Sequence, residues 1–341
     1  MELKDVVEEN VLPFLPAKSL LRFRSVSKQW DVWIRSPFFA RQQSYSFQNL
    51  SGFFCQGFDT NPSFLTLNHS AYGVPTPSLR FLPDRVDIKS SSCGLLVCQG
   101  RTENNSYYIC NPANETWKKL PEPNYYHGLE SALVLAFEPS LLNLEPHYSL
   151  VCAVHLTGLA TVCFELYSSE TRTWKCSAEM CAELGDCSFT GNGFYMKGMA
   201  YWETSRRKIL AFDMKNDVYG IISLPSDCPP RGMLAEIREE LCYIGISNYL
   251  AWGYTIKIYT GADLAVRQQI DLRLEPVVTK YVKGYRVLPS LRGDAVIILA
   301  GGCIYSYSLK DERVELMSGG GVEILSTTLF FPYVNSLISV A

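Results

Sequence analysis

One spacing recurs along this chain and limits what it can fold into. Five times an apolar, strand-like run ends, passes through six turn residues and restarts seven positions on: Cys110 to Trp117, Tyr167 to Trp174, Phe212 to Tyr219, Tyr259 to Val266 and Tyr307 to Val314. The first turn reads Asn-Pro-Ala-Asn-Glu-Thr and the second Ser-Ser-Glu-Thr-Arg-Thr. The run ends lie 57, 45, 47 and 48 residues apart. Short strands repeating every ~40–50 residues are the signature of four-stranded propeller blades, each too small to bury its own faces.

The third repeat divides cleanly into strands over 192–197, 199–203, 208–213 and 218–223, with Gly198 in the first hairpin. Gly94 and Gly293 take equivalent hairpin positions, where a tight turn needs positive φ. Strand-like stretches over 47–67 and 322–340 are left over. Joined into one shared blade, they would remove the exposed edges that invite aggregation. Six blades are expected, with seven as the alternative.

The first 42 residues have a different period. Val6, Val7, Val11 and Leu12 fall at helical offsets, and Pro13, without an N–H, ends that segment, giving a helix over 5–12. Ser19 is expected to cap a second helix carrying Leu20, Leu21, Phe23 and Val26. Ser27 should cap a third carrying Trp30, Trp33 and Ile34, and Ser36-Pro37 starts a fourth. A unit this small seldom buries enough surface to stand alone, so its surplus of apolar residues calls for a partner, the rest of the chain, or both. The chain is thus an α+β multidomain protein: a small all-α module over 1–42, then an all-β propeller over 43–341 closed by pairing of its terminal strands.

Composition excludes several classes. With 341 residues, 47% hydrophobic and 19% charged, the chain has the balance of a globular protein. A net charge of −3 provides no basic field for nucleic acid, and no apolar run is long enough to span a bilayer. The start, Met-Glu-Leu-Lys-Asp, lacks the basic and apolar regions of a secretory signal, so cytoplasm or nucleus is expected. In that reducing setting the 12 cysteines are expected to stay as thiols and, in apolar strands, to pack as small hydrophobes. Cys152-Ala-Val-His155 is the nearest approach to a metal-ligand pair, and the alternating apolar pattern around it favours a core reading. His69, His127, His147 and His155 show no pairing with a nucleophile, and Gly191-x-Gly193 and Gly319-Gly-Gly321 lack the lysine of a phosphate loop. No cofactor is expected, and Trp117, Trp174 and Tyr219, recurring with the repeat, read as blade packing.

Two stretches carry a family resemblance. Leu15-Pro16-x-Lys18-Ser19-Leu20-x-Arg22-Phe23-Arg24-x-Val26-Ser27-Lys28-x-Trp30, followed by Ile34-x-Ser36-Pro37-x-Phe39, resembles the F-box of plant F-box proteins. Lys4 follows Leu3 where that family usually has proline. Ser92-Cys-Gly-Leu-Leu and Tyr108-Ile-Cys-Asn-Pro-Ala-Asn-Glu-Thr-Trp-Lys-Lys-Leu-Pro121 resemble the kelch-like F-box-associated domain, as do Gly198-Met-Ala-Tyr-Trp202 and Ile209-Leu-Ala-Phe-Asp213. Unlike true kelch repeats, the five repeats carry a clear double glycine only at Gly301-Gly302. The resemblance implies a non-catalytic subunit that docks on a Skp-type adaptor and through it on a cullin ubiquitin ligase. The adaptor-facing side it implies is Leu3, Val7, Val11, Leu12, Leu15, Pro16, Leu20, Leu21, Val26 and Trp30.

Target recognition then falls to propeller loops over 99–106, 121–129, 204–207, 225–232 and 248–253. They hold Tyr125, Tyr126, His127, Arg206, Arg207, Tyr249 and Trp252, residue types enriched at binding hot spots. A small-molecule or glycan sensor, a catalytic propeller, or a role outside a ubiquitin ligase are the alternatives.

Overall fold

The computed structural model describes residues 3–102, 105–128, 132–142, 146–156, 159–229, 232–250, 253–261, 264–273, 285–291, 293–319 and 328–340. The chain divides into two compact units. One is Met1–Asp186 with Met214–Asp217 and Phe331–Ala341, and the other is Cys187–Asp213 with Val218–Phe330.

The first unit opens with four helices, α1 (Leu3–Asn10), α2 (Ala17–Phe23), α3 (Lys28–Ile34) and α4 (Pro37–Ser46), with a 3-10 turn at Leu12–Phe14. Helix α4 continues past residue 42. Three sheets follow. Strands β1 (Leu50–Gln56) and β2 (Ser63–Thr66) join the late strand β23 (Leu329–Val334) in the order β2-β1-β23. The second sheet is β3 (Val86–Ser92), β4 (Leu95–Gly100), β5 (Tyr107–Asn111) and β6 (Thr116–Lys119); the third is β7 (Ala132–Phe137), β8 (Tyr148–His155), β9 (Val162–Ser168) and β10 (Thr173–Cys181).

The second unit holds three more four-stranded sheets, each ordered as the chain runs: β11 (Phe189–Met196) to β14 (Val218–Ser223), β15 (Met233–Ile237) to β18 (Ala265–Arg273), and β19 (Tyr285–Leu288) to β22 (Arg313–Ser318). Within these, β13 is Lys208–Asp213, β17 is Gly253–Thr260 and β21 is Cys303–Ser308. Among the described residues there are six sheets, the number expected.

Each of the five seven-residue spacings is a direct cross-strand pair between the last two strands of a sheet: Cys110 with Trp117, Tyr167 with Trp174, Phe212 with Tyr219, Tyr259 with Val266 and Tyr307 with Val314. The turns share a backbone device as well. Glu115, Arg172, Asp217, Leu264 and Glu312, each two residues before the restart, all have φ between 49° and 58°. A turn closed by one left-handed residue matches the twist of the flanking strands, and here non-glycine residues bear its cost. Replacing the exposed Glu312 by glycine is expected to stabilise the chain by up to ~1 kcal/mol, because glycine meets no Cβ clash there. Glu312→Val should destabilise by at least as much, since a branched side chain is a true outlier at that φ. Thermal unfolding checks both, and equal melting temperatures would show the turn is not strained.

Middle strands explain the cores. Strands β4 and β5 are buried along their whole length, and their sequences are nearly continuous apolar runs. The last strand of each sheet is an edge, which corrects the packing expected for the recurrent aromatics. Trp174 is buried and donates from Nε1 to the Pro121 carbonyl at 2.9 Å, whereas Trp117 is exposed on the edge strand β6, with one face against Tyr108. Ten of the 12 free thiols are buried, in keeping with their apolar settings. Burial pushes Cys163 and Cys228 up to about 11, so neither is a ready nucleophile at neutral pH.

The helices attach to the sheets through the residues after β23. Leu12, Ala17, Leu20, Ile34 and Phe39 form one buried cluster with Ala113, in the β5–β6 turn, and Leu337. Polar groups complete the junction. Gln43 donates from Nε2 to the carbonyls of Leu15 and Asn335, while its Oε1 accepts from the Leu337 N–H at 2.9 Å. Asn111 donates from Nδ2 to the carbonyls of Ser336 and Ile338, and its Oδ1 accepts from Tyr333 Oη and the Ala113 N–H.

Ser27 and Ser36 cap α3 and α4 as expected, accepting from the N–H groups of Trp30 and Phe39 at 3.1 Å. Ser19 does not cap α2. That helix begins two residues earlier, after Pro16, whose ring carries no capping oxygen. Its first orphan N–H groups are satisfied from far away: Ala17 donates to the Asn335 carbonyl at 2.9 Å and Lys18 to Asn335 Oδ1 at 2.7 Å.

Candidate protein-docking surfaces

The junction just described decides which side of the helical module is left for a partner. Leu12, Pro16 and Leu20, expected on the adaptor-facing side, are buried inside the chain itself. The reason is volume: Ala113 and Leu337 close the cluster that Leu12 and Leu20 line, and Pro16 lies between them in the chain. Val7, Leu15, Leu21 and Trp30 sit half-buried at its margin, where the Trp30 ring meets Phe23 at a tilt with centroids 5.9 Å apart and donates from Nε1 to Glu8 at 3.1 Å. Val11 is exposed, and Val26 is 63% exposed. The side chain of Leu3 lies outside the described residues. Phe14, 57% exposed, and Val32 and Phe38 add apolar surface that the sequence reading did not single out.

A second surface is built in the first unit from three loops. Arg101, at the end of β4, donates from Nη1 to Asp59 at 2.7 Å, from Nη2 to the Thr60 carbonyl at 3.1 Å, and to Asp87 on β3. Gln99 donates from Nε2 to the Gly128 carbonyl at 2.8 Å, and Asn105 from Nδ2 to Tyr126 Oη at 3.3 Å. The loops after β1, β4 and β6 are thereby tied together, and they present Phe58 (89% exposed) and Tyr126 (74% exposed) to solvent. Large exposed aromatics on a braced loop cluster are good anchors for a protein partner, because little side-chain entropy remains to be lost.

His127 is not part of that surface. Its side chain is buried, its Nε2 lies 2.8 Å from Glu165 Oε2 on β9, and its Nδ1 lies 3.0 Å from Tyr107 Oη. Glu165 is fully buried, and a buried carboxylate must be surrounded by donors. Besides His127 it accepts from the Asn124 N–H and Nδ2, both at 2.7 Å, and from the Tyr125 N–H at 3.2 Å. Burial alone would raise the Glu165 pKa, but the hydrogen bonds from His127, Asn124 and Tyr125 outweigh it and hold the carboxyl below the usual range. The carboxylate has no proton to give, so Nε2 is the donor, and Nδ1 pairs with the Tyr107 hydroxyl. Half-buried Tyr125 packs against the same core. This loop is shaped by the charge beneath it, and of its three expected contact residues Tyr126 alone is well exposed.

In the second unit Arg206 is exposed. Arg207 is also exposed along its stem, but its Nη2 donates to the carbonyls of Pro225 and Cys228 at 2.8 and 2.9 Å, so its fork braces a loop. The side chain of Tyr249 and the whole of Trp252 lie outside the described residues. Cys152 and His155, three apart on β8, project to opposite faces, one buried and one exposed, so they do not form a ligand pair. Among the described residues no group of three or more His, Cys, Asp or Glu is placed to hold a metal, and no helix is long and apolar enough to cross a membrane.

A family model described as F-box protein At3g26010-like, beta-propeller, matches residues 74–250, just over half of the chain. The chain belongs to this family. The matched stretch runs from the segment before β3 into β16 (Glu240–Leu250), so the sheets it contains are propeller blades. Relatives from Arabidopsis thaliana agree. F-box protein At5g49610 is 31% identical over 65% of this chain, and the chain spans 64% of its length. F-box protein At5g07610 is 28% identical over 81% of this chain and 72% of its own length, and F-box protein At5g03970 is 23% identical over 91% and 82%. This is a plant F-box protein family with a β-propeller domain.

Proposed function

We propose that the chain is the substrate-recognition subunit of a Skp/cullin/F-box ubiquitin ligase. In this reading residues 1–42 are the F-box, residues 43–341 are the propeller closed by pairing of its terminal strands, and the protein acts in the cytoplasm or nucleus without a cofactor of its own. The subunit does no chemistry. It raises the local concentration of a target lysine near the conjugating enzyme by holding both on one scaffold. Family membership and the F-box names of the relatives support it. The observation that carries it is the two-sided helical module: one side is closed by Ala113 and Leu337, while Val11, Phe14 and Val26 remain exposed. An exposed apolar set on so small a unit is characteristic of an interface. We assign adaptor contact to Val11, Phe14 and Val26 with the margins of Val7, Leu15, Leu21 and Trp30, and target contact to Tyr126 and Phe58.

Leu12, Pro16 and Leu20 are the wrong residues to change, because their loss damages the fold. Val11→Asp with Phe14→Asp alters exposed positions alone. The double variant is expected to keep its melting temperature and to lose roughly tenfold or more in affinity for a Skp-type adaptor. Co-purification at the wild-type level would refute adaptor docking through this side.

A further inference from the structure

Between helices α2–α4, the end of β7 and the residues after β23 lies a cleft of about 330 Å³, within the size range of small-molecule sites. Its walls are apolar, formed by Leu21, Ile34, Phe137 and Leu337. Three arginines line it as well, Arg24, Arg35 and Arg41, together with Glu138 and His147.

Asp31 organises two of the three. Its Oδ1 accepts from Arg24 Nε at 2.7 Å and from Arg35 Nε at 2.8 Å. These bonds, the one from Arg35 first, hold the Asp31 carboxyl below the usual range. Both forks are gripped at Nε, and among the described residues no acceptor is paired with their terminal nitrogens. Arg41 lies over the Phe38 ring at 5.4 Å. Inside the cleft Ser44 is 1% exposed, and its Oγ has no hydrogen-bond partner among the described residues. A buried hydroxyl without a partner is a cost the fold carries unless something fills the space.

Three guanidiniums against the carboxylates of Asp31 and Glu138 leave one positive charge. We infer that the cleft binds a small amphipathic monocarboxylate, with its apolar body against Leu21, Ile34 and Phe137 and its head on the terminal nitrogens of Arg24 and Arg35. Planar guanidinium forks suit a carboxylate, and the apolar wall suits a hydrocarbon or ring body. Leu21 belongs both to this cleft and to the margin assigned to adaptor contact, so binding is measured on the chain without a protein partner.

Octanoate and its neutral amide, octanamide, titrated calorimetrically into the 341-residue chain, separate head from body. Octanoate is expected to bind at least about tenfold more tightly, the ratio expected for charge-assisted hydrogen bonds against neutral ones. Arg24→Gln with Arg35→Gln should abolish that preference and leave octanamide binding unchanged. Leu21→Trp, at the half-exposed wall, should block both ligands, which locates binding even if the arginine variant does not fold. No binding of octanoate, equal binding of the two ligands, or a preference that survives Arg24→Gln/Arg35→Gln overturns the proposal. Tighter binding of octyl phosphate than of octanoate overturns the single-charge assignment.

Discussion

Replacing Asn335 by alanine is expected to lower the stability of the first unit by about 2–3 kcal/mol and to loosen α2 most. The main-chain bonds at this position survive the change: Ala17 and Gln43 still donate to its carbonyl, and its N–H still reaches Ser51 Oγ. Two side-chain bonds are lost. The Lys18 N–H loses its acceptor, a helix N-cap contribution of ~1 kcal/mol, and the half-buried Gly73 carbonyl loses the Nδ2 donor at 2.8 Å, a further ~1–1.5 kcal/mol. Asn335→Asp separates the two. It keeps an acceptor for Lys18 and adds favourable charge at a helix N-terminus, but sets a carboxylate oxygen against the Gly73 carbonyl. Urea unfolding gives the totals, and hydrogen exchange at the α2 amides shows where the loss falls. An Asn335→Ala change of under ~0.5 kcal/mol would mean the cap is made by something else.

His127→Ala should cost about 3 kcal/mol, the scale for leaving a buried charge without its partner. It removes a donor from Glu165 Oε2 and a hydrogen-bond partner from Tyr107 in one step. Glu165→Gln in the His127→Ala background should recover part of the loss, because a neutral amide tolerates the missing donor better than a carboxylate does. The same network predicts an acid limit. The Glu165 pKa is lower folded than unfolded, so the unfolded chain takes up a proton first as pH falls. Its contribution is therefore whole above about pH 4.5, the ordinary glutamate range, and is lost below it as pH falls toward the folded value. Stability measured from pH 7 down to 3 should fall for the wild type, and the fall should be shallower for Glu165→Gln. Parallel curves would remove Glu165 from the account.

The blades were legible because their signal is local. A seven-residue return to a cross-strand partner depends on one turn, so five pairs could be read directly, as could the caps Ser27 and Ser36, which act three residues away. Where the deciding partner is distant, sequence reading fails. Nothing near Lys18 indicates that its N–H will meet Asn335, and nothing near Leu12 or Leu20 shows that Ala113 and Leu337 will cover them. His127 was misplaced on a binding surface for the same reason: its partner is 38 residues away. A clue did exist, since Glu165 interrupts the apolar run Val162-Cys-Phe-Glu-Leu-Tyr167, and a charge in a buried strand requires donors. Phe58 and Arg101 escaped notice because the bonds that brace their loops join segments far apart in the chain.

Synthesis gives the distant cap a temporal meaning. Asn335 leaves the ribosome 317 residues after Lys18, which at common elongation rates of ~5–20 residues per second is a delay of roughly 15 to 60 s. Throughout that interval α2 lacks the Asn335 cap and the helical cluster lacks the Leu337 side chain that covers it. Helices made before the sheets are finished after them, and their ordered form reports that the far blades have already been made.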